Sequence, residues 1–503
     1  MNINPTLSID GYKVDHRRQY PQGTETIFSN LTARKTRRQN VNETVFFGLQ
    51  YFVKKYLIEE WSKDFFSVEK NAAVARFKNT IDAYLGPNQV GTQHIESLHD
   101  LGYLPIHIKA VPEGSQVPIK VPSMVIWNTK EEFFWITNYL ETILSTTIWG
   151  MCTSATTALQ YKKLLTRFAL KTIGSDEFVQ WQGHDFSFRG MFGLEAAAMS
   201  GAAHLTCFTG TDTIPAIGFL CEYYGAAPSK ELIGGSVAAT EHSVMCAGGM
   251  DNELETFRRL IEDIYPSGIV SIVADSWDYW KVLTEFTVTL RDKIIGRNGK
   301  VVFRPDTGDP VKVVCGDSDA PPESPEFKGS IEILWDVFGG TMSQQGFKVL
   351  DSHVGLIYGD SITLERAEAI CSQLAAKGFA STNIVFGIGS YTYQYVTRDT
   401  DSYAVKATFA RVGGIDREIF KAPKTDDGTK KSAKGLTAVY QDENSKFYLK
   451  DQATWDEVLN CSFEDVFVDG KLVRDQSIRK IRNTLKLPSD FSCAPSTTGT
   501  QSS

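Results

Sequence analysis

Cysteine is scarce and scattered in this chain: eight in 503 residues, at positions 152, 207, 221, 246, 315, 371, 461 and 493, with no CxxC pair. That excludes a disulfide scaffold and points to reduced thiols in a cytoplasmic protein. No uninterrupted apolar run approaches the ~20 residues that a bilayer crossing needs, so no membrane partner is expected. The opening segment MNINPTLSIDGYKVDHRRQYP lacks an apolar h-region, so no signal peptide is expected either. Positive charge is not in excess: 52 Lys and Arg against 60 Asp and Glu leave a net charge of −8. Without a basic tract to replace counterions, nucleic acid is not an expected partner. A phosphorylated small molecule stays open, because a local cluster of arginines is enough to hold one. HExxH and GxSxG are absent, which removes the zinc-protease and serine-hydrolase readings. There is no Walker loop, and GIGSYT is too short a match to a dinucleotide-binding fingerprint.

What is present is ordinary globular text, 42% hydrophobic and 22% charged, long enough for two or three domains. The first third reads as mixed α and β. GLQYFVKKYLIEEW places Leu49, Phe52, Val53, Tyr56 and Leu57 on one helical stripe. LPIHIKAVPEGSQVPIKVPSMVIWN is rich in β-branched residues broken by Pro and Gly, and predicts short strands and turns. Helical segments follow around FFWITNYLETIL and TTALQYKKLLTRFAL. From about residue 178 short apolar strands alternate with amphipathic helices such as DNELETFRRLIEDIY and TLERAEAICSQLAAKGF. That alternation predicts parallel strands with crossover helices, in a barrel or a doubly wound sheet. After residue 400 the text returns to strands and turns, KTDDGTKKSAKG reads as a solvated loop, and the tail SCAPSTTGTQSS is small and polar. The expected fold is α/β: a barrel-like parallel strand-helix domain over 178–391, with a second α+β domain built from residues 1–177 and 392–487. A flexible tail covers 488–503.

Each strand of the second half runs into a polar or glycine-rich end. LTCFTGTD ends at Asp212, GIVSIVADS at Asp275, KVVFRPDTG at Arg304 and Asp306, VGLIYGDS at Gly359 and Asp360, and NIVFGIGS at Gly387, Gly389 and Ser390. Any one of these aspartates could simply cap the helix that follows it. Five polar strand ends in succession favour a shared site, since functional groups gather at the C-terminal ends of parallel strands. An arginine beside a carboxylate can hold a phosphate and a sugar hydroxyl respectively. The glycines would let backbone N–H groups approach phosphate oxygens. Arg189, Arg398 and Lys406 add positive charge without any metal-ligand spacing, and no metal ligands can be named. His242, in ATEHSVMCAGG, sits among small residues.

Nine motifs occur in an order that carries a resemblance. They are DGYKVDHRRQYPQGT (10–24), ETVFFGLQY (43–51), HDFSFRG (184–190), GTDT (210–213), EHS (241–243), ADSWD (274–278), RPDTGDP (304–310), YGDS (358–361) and TRD (397–399). Over residues 7 to 485 the chain resembles the nicotinamide phosphoribosyltransferases, type II phosphoribosyltransferases. The resemblance implies that nicotinamide and phosphoribosyl pyrophosphate give nicotinamide mononucleotide and pyrophosphate in NAD salvage, with magnesium. It also implies a homodimer with shared active sites. By resemblance, Arg189, Arg304 and His242 contact the pyrophosphate side, and Asp306 and Asp360 hold the ribose hydroxyls. Gly359, Gly389 and Ser390 lie beside the nucleotide phosphate, while Arg398 and Lys406 reach phosphates from the partner. Phe186, and Tyr12 of the partner, sandwich the pyridine ring. Asp212 accepts the amide N–H of nicotinamide and would repel nicotinate. His242 is phosphorylated by ATP, a co-substrate, and Asp275 orients it. Ser390 stands where the family commonly has a glycine. The alternatives are a nicotinate-specific relative and a catalytically silent nucleotide-binding protein of the same fold.

Overall fold

The structure, a computed structural model, describes residues 4–359, 361–420 and 433–485. Most of the expected solvated loop, the tail from 488 and Asp360 lie outside the described residues. The described chain divides into two compact units, one of residues 4–156, 219–226 and 396–485, the other of 157–218 and 227–395. Residues 157–177 thus group with the second unit. Residues 157–173 belong to a 33-residue helix, Glu141–Ile173, that joins the ends of two segments read separately from the sequence.

The first unit is built on a seven-stranded antiparallel sheet. Its order is Ile415–Glu418, Tyr403–Val412, Thr24–Ala33, Pro122–Asn128, Ile106–Ala110, Glu464–Val468, Lys471–Leu472. The N-terminal third and the C-terminal segment therefore share one sheet, joined where Thr24–Ala33 pairs with Tyr403–Val412. Pro122–Asn128 is buried at every position, as a central strand covered on both faces must be. Of the predicted stripe, Leu49, Phe52, Val53 and Leu57 are buried and Tyr56 is half-buried. Its helix opens at Leu49–Phe52 and continues in a wider π form over Val53–Glu60.

The second unit is a parallel sheet in the order Gly210–Thr211, Gly183–Asp185, Ile384–Ile388, Val354–Tyr358, Asn298–Arg304, Ser267–Val273, Ala238–Ala239. Gly235, just before the last of these, bridges back to Gly210 and closes the ring. The barrel-like reading of this half is thereby realised. Alternation decides which side chains face inward. On Ser267–Val273, Val270 and Ile272 are buried among the hydrophobic core residues, while Ile269 and Ser271 line a cavity of about 370 Å³. On the neighbouring Asn298–Arg304 strand, Lys300, Val302 and Arg304 line that same cavity. Arg304 is therefore an inward residue at the C-terminal end of its strand.

One predicted strand is corrected. LTCFTGTD is not extended from residue 205, and strand geometry is confined to Gly210–Thr211. The backbone N–H of Leu205 donates to the Gly201 carbonyl, and those of Cys207 and Phe208 to the His204 carbonyl. These bonds prolong the helix Gly193–His204, and so consume the donors that a strand would have needed. None of the seven described cysteines is in a disulfide, and burial pushes the Cys152 and Cys315 thiols up to about 12. No described helix is long and apolar enough to cross a membrane.

Candidate active site

The parallel sheet brings its C-terminal strand ends to one rim, and each end supplies a side chain for a physical reason. Phe186 follows the strand Gly183–Asp185, and its N–H donates to the Ile388 carbonyl at 3.0 Å. Its ring lies where a side chain on Gly387 would have been, since a Cβ there would come within 2.5 Å of Phe186 Cδ2. A Cβ on Gly359 would meet Asp306 Oδ1 at 2.8 Å. These two glycines make room for neighbouring side chains.

Arg304 is 15% exposed and holds its guanidinium 5.9 Å from the centroid of the Phe186 ring. One of its terminal nitrogens is 3.8 Å from Asp306 Oδ2, and its Nε is buried with no hydrogen-bond partner in the described structure. A cation stacked near an aromatic face and flanked by a carboxylate is suited to an anionic group attached to a sugar.

Asp275, only 3% exposed, ties two segments together. Its Oδ1 lies 3.0 Å from His242 Nε2. Its Oδ2 accepts the Asp306 N–H and the Thr307 hydroxyl, each at 2.8 Å. The Tyr358 hydroxyl donates to the Thr307 and Gly308 carbonyls from the other side of that loop. An ionised carboxylate accepts and cannot donate, so His242 presents Nε2–H to it, and in the neutral ring the lone pair then lies on Nδ1. His242 is 43% exposed and opens the short helix His242–Cys246. This is an oriented imidazole with a free nitrogen within reach of solvent.

Asp212 follows the strand Gly210–Thr211 and lines the cavity with Phe186 and Arg304. Two donors meet its Oδ1: His184 Nε2 at 2.9 Å and the Ser236 hydroxyl at 2.6 Å. Burial pushes the carboxyl up, but these bonds and the charges of His184 and Arg304 outweigh it and hold Asp212 below its ordinary range.

Arg189 lies in the turn Phe188–Gly190, exposed. A Cβ on Gly190 would come within 2.0 Å of Ser390 Oγ, so the Arg189 turn and the Gly389–Ser390 turn are packed together. Tyr12, Arg398 and Lys406 belong to the first unit, where all three side chains are largely exposed. Among the described residues no three His, Cys, Asp or Glu side chains group into a protein-only metal cage.

The sequence reading missed His184, Ser236, Thr307 and Tyr358 as parts of the site. His184 carried a signal, because it stands in a strand end beside two motif residues. Ser236 carried none, since nothing in GGSV marks its hydroxyl as the partner of a carboxylate 24 residues away.

Comparison with known proteins identifies the family of the chain. The family described as "Nicotinate phosphoribosyltransferase (NAPRTase) family" matches residues 181–457, and "Nicotinamide phosphoribosyltransferase, N-terminal domain" matches residues 4–108. A nicotinamide phosphoribosyltransferase of Acinetobacter baylyi is 53% identical, with 96% of this chain and 97% of that protein covered. One from Mycoplasma pneumoniae is 37% identical, with 86% and 95% covered. Among solved structures, a nicotinate-nucleotide pyrophosphorylase from Pyrococcus furiosus aligns with a TM-score of 0.56 at 14% identity, covering 96% of this chain and 94% of that one. Human nicotinic acid phosphoribosyltransferase aligns with a TM-score of 0.51, also at 14% identity, covering 95% and 92%. At that identity the two structures speak for the fold alone.

Proposed function

The chain belongs to the nicotinamide phosphoribosyltransferase family, and on that premise we propose how the groups at the barrel rim perform the transfer. The enzyme moves the phosphoribosyl group from phosphoribosyl pyrophosphate to nicotinamide, giving nicotinamide mononucleotide and pyrophosphate. The observation that supports this reading best is the placement of Phe186, Asp212 and Arg304 on one cavity. An aromatic face, a hydrogen-bond acceptor and a cation are what a neutral pyridine carboxamide and an anionic sugar require.

Nicotinamide stacks on Phe186, and its carboxamide N–H donates to Asp212. The anomeric carbon loses pyrophosphate through a transition state with oxocarbenium character, so charge builds on the departing oxygens. Arg304, Arg189 and His242 stabilise that charge, and Asp306 accepts from the ribose hydroxyls, helped by Asp360. Gly359 and the Gly389–Ser390 turn take the nucleotide phosphate, with the Ser390 hydroxyl as a donor where the family has a glycine.

Magnesium fits the donor set here in one way. A hard cation that keeps its waters needs one or two carboxylates plus substrate phosphates, and not a cage. Asp306 would hold it with the pyrophosphate oxygens, where it would neutralise charge on the leaving group. The reading extends to a homodimer in which Tyr12, Arg398 and Lys406 serve the site of a second copy. The 65% exposure of the Tyr12 side chain leaves it available for that role.

ATP enters through His242. Its Nδ1 lone pair attacks the γ-phosphorus, the bond to ADP breaks, and a phosphoramidate forms while Asp275 holds the ring through Nε2. Hydrolysis of that phosphohistidine then couples ATP consumption to product formation. Incubation with γ-labelled ATP should leave acid-labile, base-stable label on the protein, absent from His242→Ala. That variant should retain ATP-independent synthesis and lose ATP stimulation. Undiminished stimulation would make His242 a structural residue. The base is tested by supplying nicotinamide or nicotinate with phosphoribosyl pyrophosphate and magnesium, and separating the products. Nicotinate should be the poorer substrate by on the order of a hundredfold, the effect of a lost buried hydrogen bond and an added repulsion. Equal turnover of both bases would remove Asp212 from this role.

A further inference from the structure

The selectivity assigned to Asp212 depends on how that carboxylate is held, and the fold holds it from both sides. The strands Gly183–Asp185 and Gly210–Thr211 are parallel neighbours, with His184 opposite Gly210. A Cβ at residue 210 would lie 2.7 Å from His184 Nδ1, so only a bare backbone there lets the imidazole lie across the strand. In that position Nε2 reaches Asp212, two residues further on. On the opposite side, the Gly235 N–H donates to the Thr209 carbonyl at 2.8 Å, and the Thr211 N–H donates to the Gly235 carbonyl at 3.0 Å. That pairing sets Ser236 beside Asp212 from the second flank.

We propose that His184 and Ser236 are positioning residues that set the choice between nicotinamide and nicotinate, by engaging Asp212 Oδ1 together so that Oδ2 is presented to the ring substituent. The proposal rests on the reading of Asp212 as the carboxamide acceptor. Oδ2 has no hydrogen-bond partner among the described residues, and Asp212 and His184 both line the cavity. Neither donor can be replaced by the substrate, because a carboxamide that donates to Oδ2 leaves Oδ1 in need of its own partners. The two donors do more than aim the side chain. They keep a partly buried carboxyl ionised, and an ionised carboxyl has no proton to share with nicotinate. Without them the group takes up a proton more readily, and a carboxylic acid can donate to the nicotinate carboxylate it would otherwise repel. His184 acts here through the hydrogen on Nε2.

The test is steady-state kinetics with both bases on Ser236→Ala, His184→Leu, His184→Gln and Asp212→Asn. Ser236 is exposed, so its alanine variant keeps the test available if His184→Leu proves unstable. Ser236→Ala and His184→Leu should each lower the nicotinamide preference about tenfold, the usual worth of one such hydrogen bond. The change should fall on the nicotinamide KM, with kcat and the KM for phosphoribosyl pyrophosphate little altered. His184→Gln, which keeps an N–H at a comparable distance from the backbone, should recover most of the preference, a rescue that a purely structural role would not produce. An unchanged preference in Ser236→Ala and His184→Leu, alongside its collapse in Asp212→Asn, would overturn the proposal and leave Asp212 as the selector. An unchanged preference in Asp212→Asn would overturn both.

Discussion

At the scale of single residues, Asp275 serves two partners with two oxygens, His242 on one and the Asp306–Thr307 backbone and hydroxyl on the other. An asparagine in its place has one acceptor and one donor, so one of those partners must face an N–H. Asp275→Asn should therefore lose ATP-dependent labelling of His242 and also lower basal synthesis by about ten- to a hundredfold, because the loop carrying Asp306 loses its anchor. Retention of full basal rate would show that Asp275 serves His242 alone. A second carboxyl, Glu253, heads the helix Glu253–Arg259 and is buried with Oε1 unpartnered. Burial first, and then the charge of Asp278, push it up to about 7 against the opposing pull of Lys281. A folded value above the ordinary 4.5 means that its stabilising contribution is complete below about 4.5 and is lost as pH rises through about 7. Glu253→Gln should match the parent melting temperature near pH 4.5 and exceed it above pH 7, by about 2–4 °C for each kcal/mol relieved. A gap that does not change with pH would mean the carboxyl is solvated after all.

At the scale of elements, the site is a product of strand alternation. Period-two alternation turns Arg304 inward at the C-terminal end of its strand; the polar strand end could be read directly from KVVFRPDTG, but the inward side could not. The aspartates and glycines after the apolar runs were legible for the same reason: short apolar strands stop where polar residues begin. The extent of the 205–212 strand was not legible, because LTCF is as apolar as a strand and its helical capping bonds depend on Gly201 and His204 upstream. Nor were His184 and Ser236 legible as donors, since their common acceptor lies 28 and 24 residues away and meets them only when three strands are adjacent. Gly387 belongs to this scale too. The Phe186 ring fills the space of its missing side chain, and a methyl carbon at that position would also lie 2.8 Å from the Gly359 Cα. Gly387→Ala should push that ring from its place, raising the nicotinamide KM by about tenfold or more with a smaller effect on the KM for phosphoribosyl pyrophosphate. Equal changes in both constants would point to a general loss of the strand and not to a displaced ring.

At the scale of the whole molecule, one sheet joins the two ends of the chain, and neither end completes it alone. The pairing of Thr24–Ala33 with Tyr403–Val412 spans nearly four hundred residues of sequence. Composition and turn signals could suggest that both segments are β-rich, but the register between them depends on contacts that no local pattern encodes. The same limit applies to assembly. Tyr12 is an exposed aromatic in the first unit, and the ring-stacking face it is proposed to supply acts on a base bound by Phe186 and Asp212 of another copy. If that is so, no subunit carries a complete site by itself. Tyr12→Ala and Asp212→Ala homodimers should each be nearly inactive at limiting nicotinamide. Mixed one to one under conditions that allow subunit exchange, half of the dimers become heterodimers. In each heterodimer one site combines the intact Asp212 of one chain with the intact Tyr12 of the other, while the second site lacks both. Activity should then rise to about a quarter of the parent value, the share of intact sites that two-fold symmetry allows. Exchange would be followed independently by mass or by a tag on one chain. Exchange without any recovery of activity would place Tyr12 and Asp212 in the same site of the same chain.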